Sequence, residues 1–300
     1  MLFTGCGTAM VTPFRKDGSL DELTLRSLVK RQVDEGINFL VPCGTTGENP
    51  TLSRQEHLRV VEITLEETKG RVPVLAGAGG YNTVEVIELA KEIKAIGADG
   101  ILSVTPYYNK PTQEGLYQHY KAIASAVKLP MIVYSVQGRT GVNIEPATLN
   151  RLSEVDYIVG VKEASGNIGQ QANVVHQVPS DFAVLSGDDS ITIPLIALGG
   201  HGLISVVANE IPGEMTALVQ RALANDFAGA REVQRKYLSL MEVNFVESNP
   251  IPVKSAMALM GLLDPIFRLP LCPPNAANLA KIEKVLEALG LLAGRSVHAV

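Results

Sequence analysis

Short apolar segments alternate with amphipathic segments along the first three quarters of the chain. Eight of the apolar segments are rich in β-branched residues and predict β-strands, at residues 5–14, 38–43, 72–79, 100–106, 130–136, 157–164, 182–189 and 202–209. Most of them are apolar throughout rather than alternating with polar residues. Parallel strands that are covered on both faces have this pattern.

The segments between the predicted strands have apolar residues at helical spacing. In the first of them, Leu25, Leu28, Val29 and Val33 fall on one helical face, which predicts a helix with one buried side. Eight strand–helix units in about 220 residues match a (β/α)8 TIM barrel of the α/β class. The alternative, a doubly wound open sheet, favours a G-x-G-x-x-G turn after the first strand, and TPFRKDGSLD stands there instead.

The pattern changes after residue 225, where three helical segments follow one another without a strand candidate. We therefore expect a (β/α)8 catalytic barrel over residues 1–225 and a C-terminal helical region over residues 226–300. The terminal segment AGRSVHAV is expected to be poorly ordered, as chain termini often are.

Composition narrows the classes of function. The net charge is −5 and Lys/Arg runs are missing, which disfavours a nucleic-acid partner. No apolar run reaches about 18 residues, and the N-terminal segment does not resemble a signal peptide, so we expect a cytoplasmic protein without a membrane span. Three distant cysteines and five scattered histidines lack the usual ligand spacings. They predict neither a disulfide scaffold nor a metal site.

Polar residues follow several predicted strands at their carboxyl ends, where the active sites of such barrels lie. The motif GTTGE (residues 44–48) follows the second strand, Tyr108 the fourth and Arg139 the fifth, while Tyr134 and Lys162 end the fifth and sixth strands. Each has an ordinary structural interpretation when it is taken alone. Lys162 could be ion-paired, Tyr134 could be a core aromatic, and GTTGE could be a turn or a phosphate-binding nest.

The combination of these residues is more informative than any one of them. A lysine that forms an imine needs a desolvated amine, a hydroxyl that transfers protons, and donors for a substrate carboxylate. Lys162, Tyr134, Tyr108 and the pair Thr45–Thr46 supply this set of groups. The sequence therefore favours covalent catalysis through a lysine.

The chain also resembles a known family. The motifs GTTGE, TPYYNKPTQEGLYQHY, YSVQGRTG, VGVKEASGN and NPIPVKSAMALMG resemble those of the dihydrodipicolinate synthase/N-acetylneuraminate lyase family of class I aldolases, in the same order and spacing. The resemblance extends from residue 5 to about residue 292. Within the family, Arg139 and the NPIPVK segment are similar to the synthase branch.

The resemblance implies roles for four catalytic residues. Lys162 is expected to condense with pyruvate, and the resulting enamine to attack aspartate 4-semialdehyde, giving 4-hydroxy-tetrahydrodipicolinate for lysine and diaminopimelate biosynthesis. Tyr134 is the implied general acid and base, in a hydroxyl relay with Thr45 and Tyr108. The resemblance implies no cofactor and no metal. In the family the tyrosine that matches Tyr108 comes from a neighbouring subunit, so a homodimer or homotetramer is expected.

The implied substrate-binding residues are four others. Thr46 is expected to hold the pyruvate carboxylate, and Arg139 the carboxylate of the semialdehyde, a task that suits a planar charged fork. Gly187 and Ile204, on the seventh and eighth predicted strands, complete the set.

The segment before Arg139 departs from the family pattern. The usual YNVPxRT is YSVQGRT here, so Ser135 replaces an asparagine and Gln137 replaces a proline. Loss of the proline is expected to free the backbone ahead of Arg139. The altered segment therefore keeps open a pyruvate aldolase of the same family that cleaves a sialic acid or a 2-keto-3-deoxy sugar acid. Two alternatives of other classes also stay open: a barrel that only binds a keto acid, and a metal-dependent aldolase.

Overall fold

A computed structural model describes residues 1–292 and contains one eight-stranded parallel sheet. The strands are β1 (Gly5–Ala9), β2 (Phe39–Val41), β3 (Leu75–Gly77), β4 (Gly100–Val104), β5 (Met131–Ser135), β6 (Ile158–Glu163), β7 (Ala183–Ser186) and β8 (Gly202–Ser205). Their order is β2-β1-β8-β7-β6-β5-β4-β3. A parallel bridge between Leu40 and Val74 joins the two ends of this order, so the sheet closes into a barrel.

The predicted (β/α)8 architecture is confirmed. Every observed strand lies inside its predicted segment and is shorter than it, because the ends of several segments leave the sheet as turns at the barrel mouth. The expectation of a poorly ordered terminal segment concerns residues 293–300, which lie outside the described residues.

Nine α-helices follow the strands of the barrel as far as residue 223. They are α1 (Glu22–Asp34), α2 (Arg54–Thr68), α3 (Thr83–Ala95), α4 (Gln113–Val127), α5 (Gln137–Thr140), α6 (Pro146–Ser153), α7 (Ile168–Gln177), α8 (Thr192–Ala197) and α9 (Pro212–Leu223). The sequence analysis missed the one-turn helix α5. Local chemistry sets the start of α2, where Ser53 and Glu56 exchange side-chain and backbone hydrogen bonds in a capping box.

Three further helices follow: α10 (Phe227–Val243), α11 (Ile251–Leu259) and α12 (Ala276–Leu289). Helix α10 packs against α8 and α9, and α12 packs against α10 and α11. The proposed boundary at residue 225 falls in the turn between α9 and α10. Within residues 1–292, no helix is both long and apolar enough to cross a membrane.

Side chains alternate between the barrel interior and the surrounding helices, as strand geometry requires. On β5, Ile132 and Tyr134 belong to the interior cluster, whereas Val133 packs with the helices. On β6, Val161 also packs with the helices, so its neighbour Lys162 faces inward. Both faces of the strands are therefore buried, which explains why the predicted strands are apolar throughout.

Candidate active site

An inner cavity of about 210 Å³ opens at the carboxyl ends of the strands. Six of the predicted site residues line it: Thr45, Thr46, Tyr134, Arg139, Lys162 and Gly187. They come from the loop after β2, from β5 and the turn after it, and from the ends of β6 and β7. The closed barrel brings these strand ends around one mouth, which is where such barrels carry their sites.

Lys162 is the reactive group of this cavity. Its side chain is buried, and its Nζ lies 4.5 Å from the centre of the Tyr134 ring. The register pairs Tyr134 with Lys162 on the neighbouring strands β5 and β6, which brings the two side chains together. Of the carboxylates in residues 1–292, none forms an ion pair with Lys162, so the ion-paired interpretation fails.

Burial lowers the pKa of Lys162 from 10.5 to about 8. The carboxylate of Asp189 opposes this shift, and the charge of Arg139 adds to it. At pH 7, a pKa of about 8 leaves about one lysine in ten neutral, compared with about one in three thousand at the ordinary value. Because the neutral amine is the nucleophile, this burial favours imine formation.

Tyr134 supplies a hydroxyl beside the lysine. Burial raises the pKa of Tyr134, while the Arg139 charge and the Thr45 hydroxyl lower it. The phenol is therefore protonated at neutral pH and lies next to a second hydroxyl with which it can exchange protons. This is the arrangement that a general acid requires.

Gly187 makes room for the lysine. A Cβ atom at this position would lie 3.1 Å from Cε of Lys162 and would also collide with Ala164. A larger residue would therefore push the lysine out of the cavity or distort β7.

Asn249 is a residue of the cavity that sequence analysis missed. Its side-chain Nδ2 donates to Oγ1 of Thr46 at 2.9 Å, and its backbone carbonyl oxygen accepts from Nη2 of Arg139 at 3.0 Å. It thus connects the two residues that were predicted to hold carboxylates. Asn249 is 203 positions from Thr46, so no local pattern connects the two residues. The only sequence feature that could have indicated it was its place in the NPIPVK motif.

The turn that carries Arg139 is held by its own hydrogen bonds. In α5, the backbone N–H of Arg139 donates to Val136 at 3.0 Å, and the hydroxyl of Ser135 accepts from the N–H of Ile144 at 3.1 Å. These bonds fix the turn although position 137 is a glutamine and not a proline. Arg139 accordingly reaches the inner cavity despite the altered segment.

The remaining two predicted residues do not line the inner cavity. Ile204 is completely buried in the barrel interior, in the same apolar cluster as Tyr134. Tyr108 is 93% exposed and lies outside both cavities, with a positive φ of 69°. The connection between β4 and α4 directs it away from this chain's own site.

An outer cavity of about 270 Å³ adjoins the inner one. It shares Thr45, Tyr134, Arg139 and Asn249 with the inner cavity, and its far wall includes Tyr107. Its lining is mostly apolar. Within residues 1–292, no three His, Cys, Asp or Glu side chains are grouped where they could hold a metal ion.

The carboxyl end of this (β/α)8 barrel carries a desolvated lysine beside a buried tyrosine. These are the groups that class I aldolases use to form an imine with a substrate. The dihydrodipicolinate synthetase family model matches residues 2–289, and the chain belongs to that family.

Known relatives resemble the chain over almost its full length. The 4-hydroxy-tetrahydrodipicolinate synthase of Koribacter versatilis is 53% identical, covering 99% of both chains. The crystal structure of dihydrodipicolinate synthase from Aquifex aeolicus has a TM-score of 0.95 and 42% identity, covering 98% of this chain and 100% of that one. The Acinetobacter baumannii enzyme, solved in complex with pyruvate, has a TM-score of 0.95 and 45% identity, covering 96% and 99%.

Proposed function

We propose that this protein is an enzyme that condenses pyruvate with L-aspartate 4-semialdehyde to give 4-hydroxy-tetrahydrodipicolinate, in lysine and diaminopimelate biosynthesis. The observation that carries the proposal is the desolvated amine of Lys162 beside the Tyr134 phenol, in one cavity with Thr46 and Arg139. The activity named for the relatives supports the same reaction.

In the first half of the reaction, the neutral amine of Lys162 attacks the ketone carbon of pyruvate. Tyr134 donates a proton to the oxygen, which leaves as water, and an imine forms. Thr46 holds the substrate carboxylate through its hydroxyl and backbone. The protonated imine then withdraws electrons, so the methyl group loses a proton and becomes an enamine.

In the second half, the enamine carbon attacks the aldehyde of the semialdehyde and forms the new carbon–carbon bond. Tyr134, relayed through Thr45, protonates the developing alkoxide. The guanidinium of Arg139 holds the second carboxylate with paired hydrogen bonds. The α-amine of the bound semialdehyde then attacks the imine carbon, which closes the ring and releases Lys162.

The identity of the second substrate, which accepts the enamine carbon, is tested by measuring pyruvate consumption with and without aspartate 4-semialdehyde. We expect consumption to depend on the semialdehyde. In Arg139→Ala we expect kcat/KM for the semialdehyde to fall on the order of 10²-fold, because a charged partner of the carboxylate is lost. Trapping of pyruvate on Lys162 by borohydride should persist in that variant.

The control for this prediction is Arg151→Ala, which removes a surface arginine paired with Glu114 and should leave kcat/KM unchanged. A wild-type protein that traps pyruvate but does not consume it with the semialdehyde would contradict the choice of acceptor. A sugar aldehyde as second substrate would then take its place.

We also propose that Tyr108 acts in the active site of a second copy of the chain, within a homodimer or homotetramer. Two features support this arrangement. The side chain is 93% exposed and remote from its own cavity, and the apolar outer cavity beside Thr45 has room for an aromatic ring from outside. The tyrosine hydroxyl would then join the relay of Thr45 and Tyr134.

Co-expression of Lys162→Ala with Tyr108→Phe tests this proposal. Each variant alone should be nearly inactive. Random pairing in a two-fold dimer should restore about a quarter of the wild-type activity, because one site in four then has both intact residues. Activity no higher than the mean of the separate variants would place Tyr108 outside the neighbour's site.

A cytoplasmic location belongs to the same proposal. Cys6, Cys43 and Cys272 are free thiols, which suits a reducing compartment. Fractionation of cells that produce the protein checks the location, and recovery outside the cytoplasmic fraction would contradict it.

A further inference from the structure

A fully buried ion pair lies behind the loop that carries Thr45 and Thr46. Nζ of Lys254, on α11, donates to Oε1 of Glu48 at 2.5 Å, and neither side chain is exposed at all. Nζ also donates to the carbonyl oxygen of Ile266 at 2.7 Å. The rings of Phe14 and Phe267 lie 4.6 and 5.1 Å from the ammonium group. The backbone N–H of Arg268 donates to Oε2 of Glu48 at 3.3 Å.

The pair is connected to the loop by short covalent and hydrogen-bonded links. Glu48 is the last residue of GTTGE, and its backbone N–H donates to the carbonyl oxygen of Thr45 at 3.1 Å. Glu48 has a φ of 53°, in the left-handed region that only a few non-glycine residues adopt. A change in the position of its side chain would therefore be transmitted to Thr45 and Thr46 through this tight turn.

A second link runs from the same C-terminal segment to the same loop. Asn249 precedes α11, and its amide donates to the hydroxyl of Thr46. The loop is thus held from behind at two points, at Thr46 and at Glu48. Both contacts come from residues 249–254, more than 200 positions further along the chain.

Stability alone is a weak explanation for such a pair. Moving two charges out of water is costly, and apolar residues of similar volume often replace a buried ion pair without loss of stability. What a buried pair does provide is a single permitted geometry, because neither charge can move away from its partner without being left unpaired. A catalytic loop benefits from that restriction, since a misplacement of about 1 Å can slow a reaction about 10²-fold.

We propose that the Glu48–Lys254 ion pair is a positioning element of the active site, which holds the loop carrying Thr45 and Thr46 against the pyruvate-binding end of the inner cavity. This inference rests on the proposed function, because it assigns the loop to pyruvate. Lys254 and Glu48 are positioning residues here, since neither lines the inner cavity where Lys162 lies.

The test compares Lys254→Met, Glu48→Gln and the double variant with the wild type. The readouts are the pyruvate concentration for half-maximal borohydride trapping, kcat, KM for each substrate, and the melting temperature. Each single variant leaves one charge unpaired and should raise the half-saturation for pyruvate about 10-fold or more. The KM for the semialdehyde should change much less, because Arg139 lies on another loop.

The double variant leaves no unpaired charge. It should fold even if a single variant does not. The pyruvate concentration for half-maximal trapping should rise about threefold or more in the double variant. The rise should be smaller than the product of the two single effects, because the two positions are coupled. Asn275→Ala is the control, because it removes the N-cap of α12 in the same C-terminal region without touching the loop. It should lower the melting temperature and leave pyruvate trapping unchanged.

The outcomes separate the two proposals. If the wild type does not trap pyruvate, the proposed function fails. A second outcome is that the wild type traps pyruvate while every folded variant needs a pyruvate concentration within about twofold of the wild-type value for half-maximal trapping. If only the melting temperature falls in those variants, the pair is merely structural and the positioning role is wrong. An equal rise in Asn275→Ala would overturn it as well.

Discussion

Lys162→Ala is expected to abolish the trapping of pyruvate and to lower turnover by a factor on the order of 10⁴ or more, because no other nucleophile replaces the amine. Trapping is measured by borohydride reduction in the presence of pyruvate, followed by mass analysis of the peptides. In the wild type the added mass should reside on the peptide that contains Lys162.

The protein contains its own control for this experiment. Lys254 is also buried, but it is paired with Glu48 and bonded to Ile266. Its peptide should stay unmodified in both the wild type and the variant. A label on Lys254 in place of Lys162, or a Lys162→Ala protein that still consumes pyruvate with the semialdehyde, would exclude the imine mechanism at Lys162.

Tyr134→Phe is expected to lower kcat by about 10²- to 10⁴-fold, the range for loss of a general acid or base. The substitution keeps the ring beside Lys162 and removes the hydroxyl alone, so the fold and the buried lysine should persist. The measurement is kcat and KM for pyruvate, together with the rate of imine trapping. The trapping rate should fall, because dehydration to the imine also needs the proton.

A matched control for Tyr134 is Tyr120→Phe. Tyr120 is also buried, on α4, and its hydroxyl donates to the carbonyl oxygen of Ser103 at 3.3 Å. That variant should keep full activity. If Tyr134→Phe stayed within about tenfold of the wild type, another group would have to transfer the proton.

The two buried lysines, Lys162 and Lys254, differ in the carboxylate that lies near the amine. Burial lowers the pKa of both amines, but a short contact with Glu48 opposes the shift at Lys254. At Lys162 the opposing charge is that of Asp189, which instead bonds to the hydroxyl of Ser205 and to the N–H of Val206. One lysine is thereby suited to hold a structure and the other to react.

The sequence was sufficient for those parts of the protein that depend on local pattern. Apolar runs predicted all eight strands, because a strand covered on both faces needs apolar residues throughout. Alternation along a strand places Lys162 and Val161 on opposite faces, but only the structure showed that Lys162 is the one that faces inward. Thr45, Tyr134 and Arg139 could be expected at one mouth, because the carboxyl ends of parallel strands in a barrel meet there.

Other features were decided by tertiary structure alone. The sequence did not indicate that Ile204 is completely buried or that Tyr108 points outward, because burial and side-chain direction depend on how the strands and their connections pack. Helix α5 was missed because a single turn has no periodicity to detect.

The largest gap between sequence and structure concerns the C-terminal region. Its helices were predictable from their period, yet nothing local indicated that Lys254 meets Glu48 or that Asn249 meets Thr46. The sequence by itself determined the barrel and the chemical groups at its mouth, through the periods of strand and helix. Only the folded chain decided which lysine is paired and which is left to react, because burial and ion pairing depend on contacts between residues about 200 positions apart.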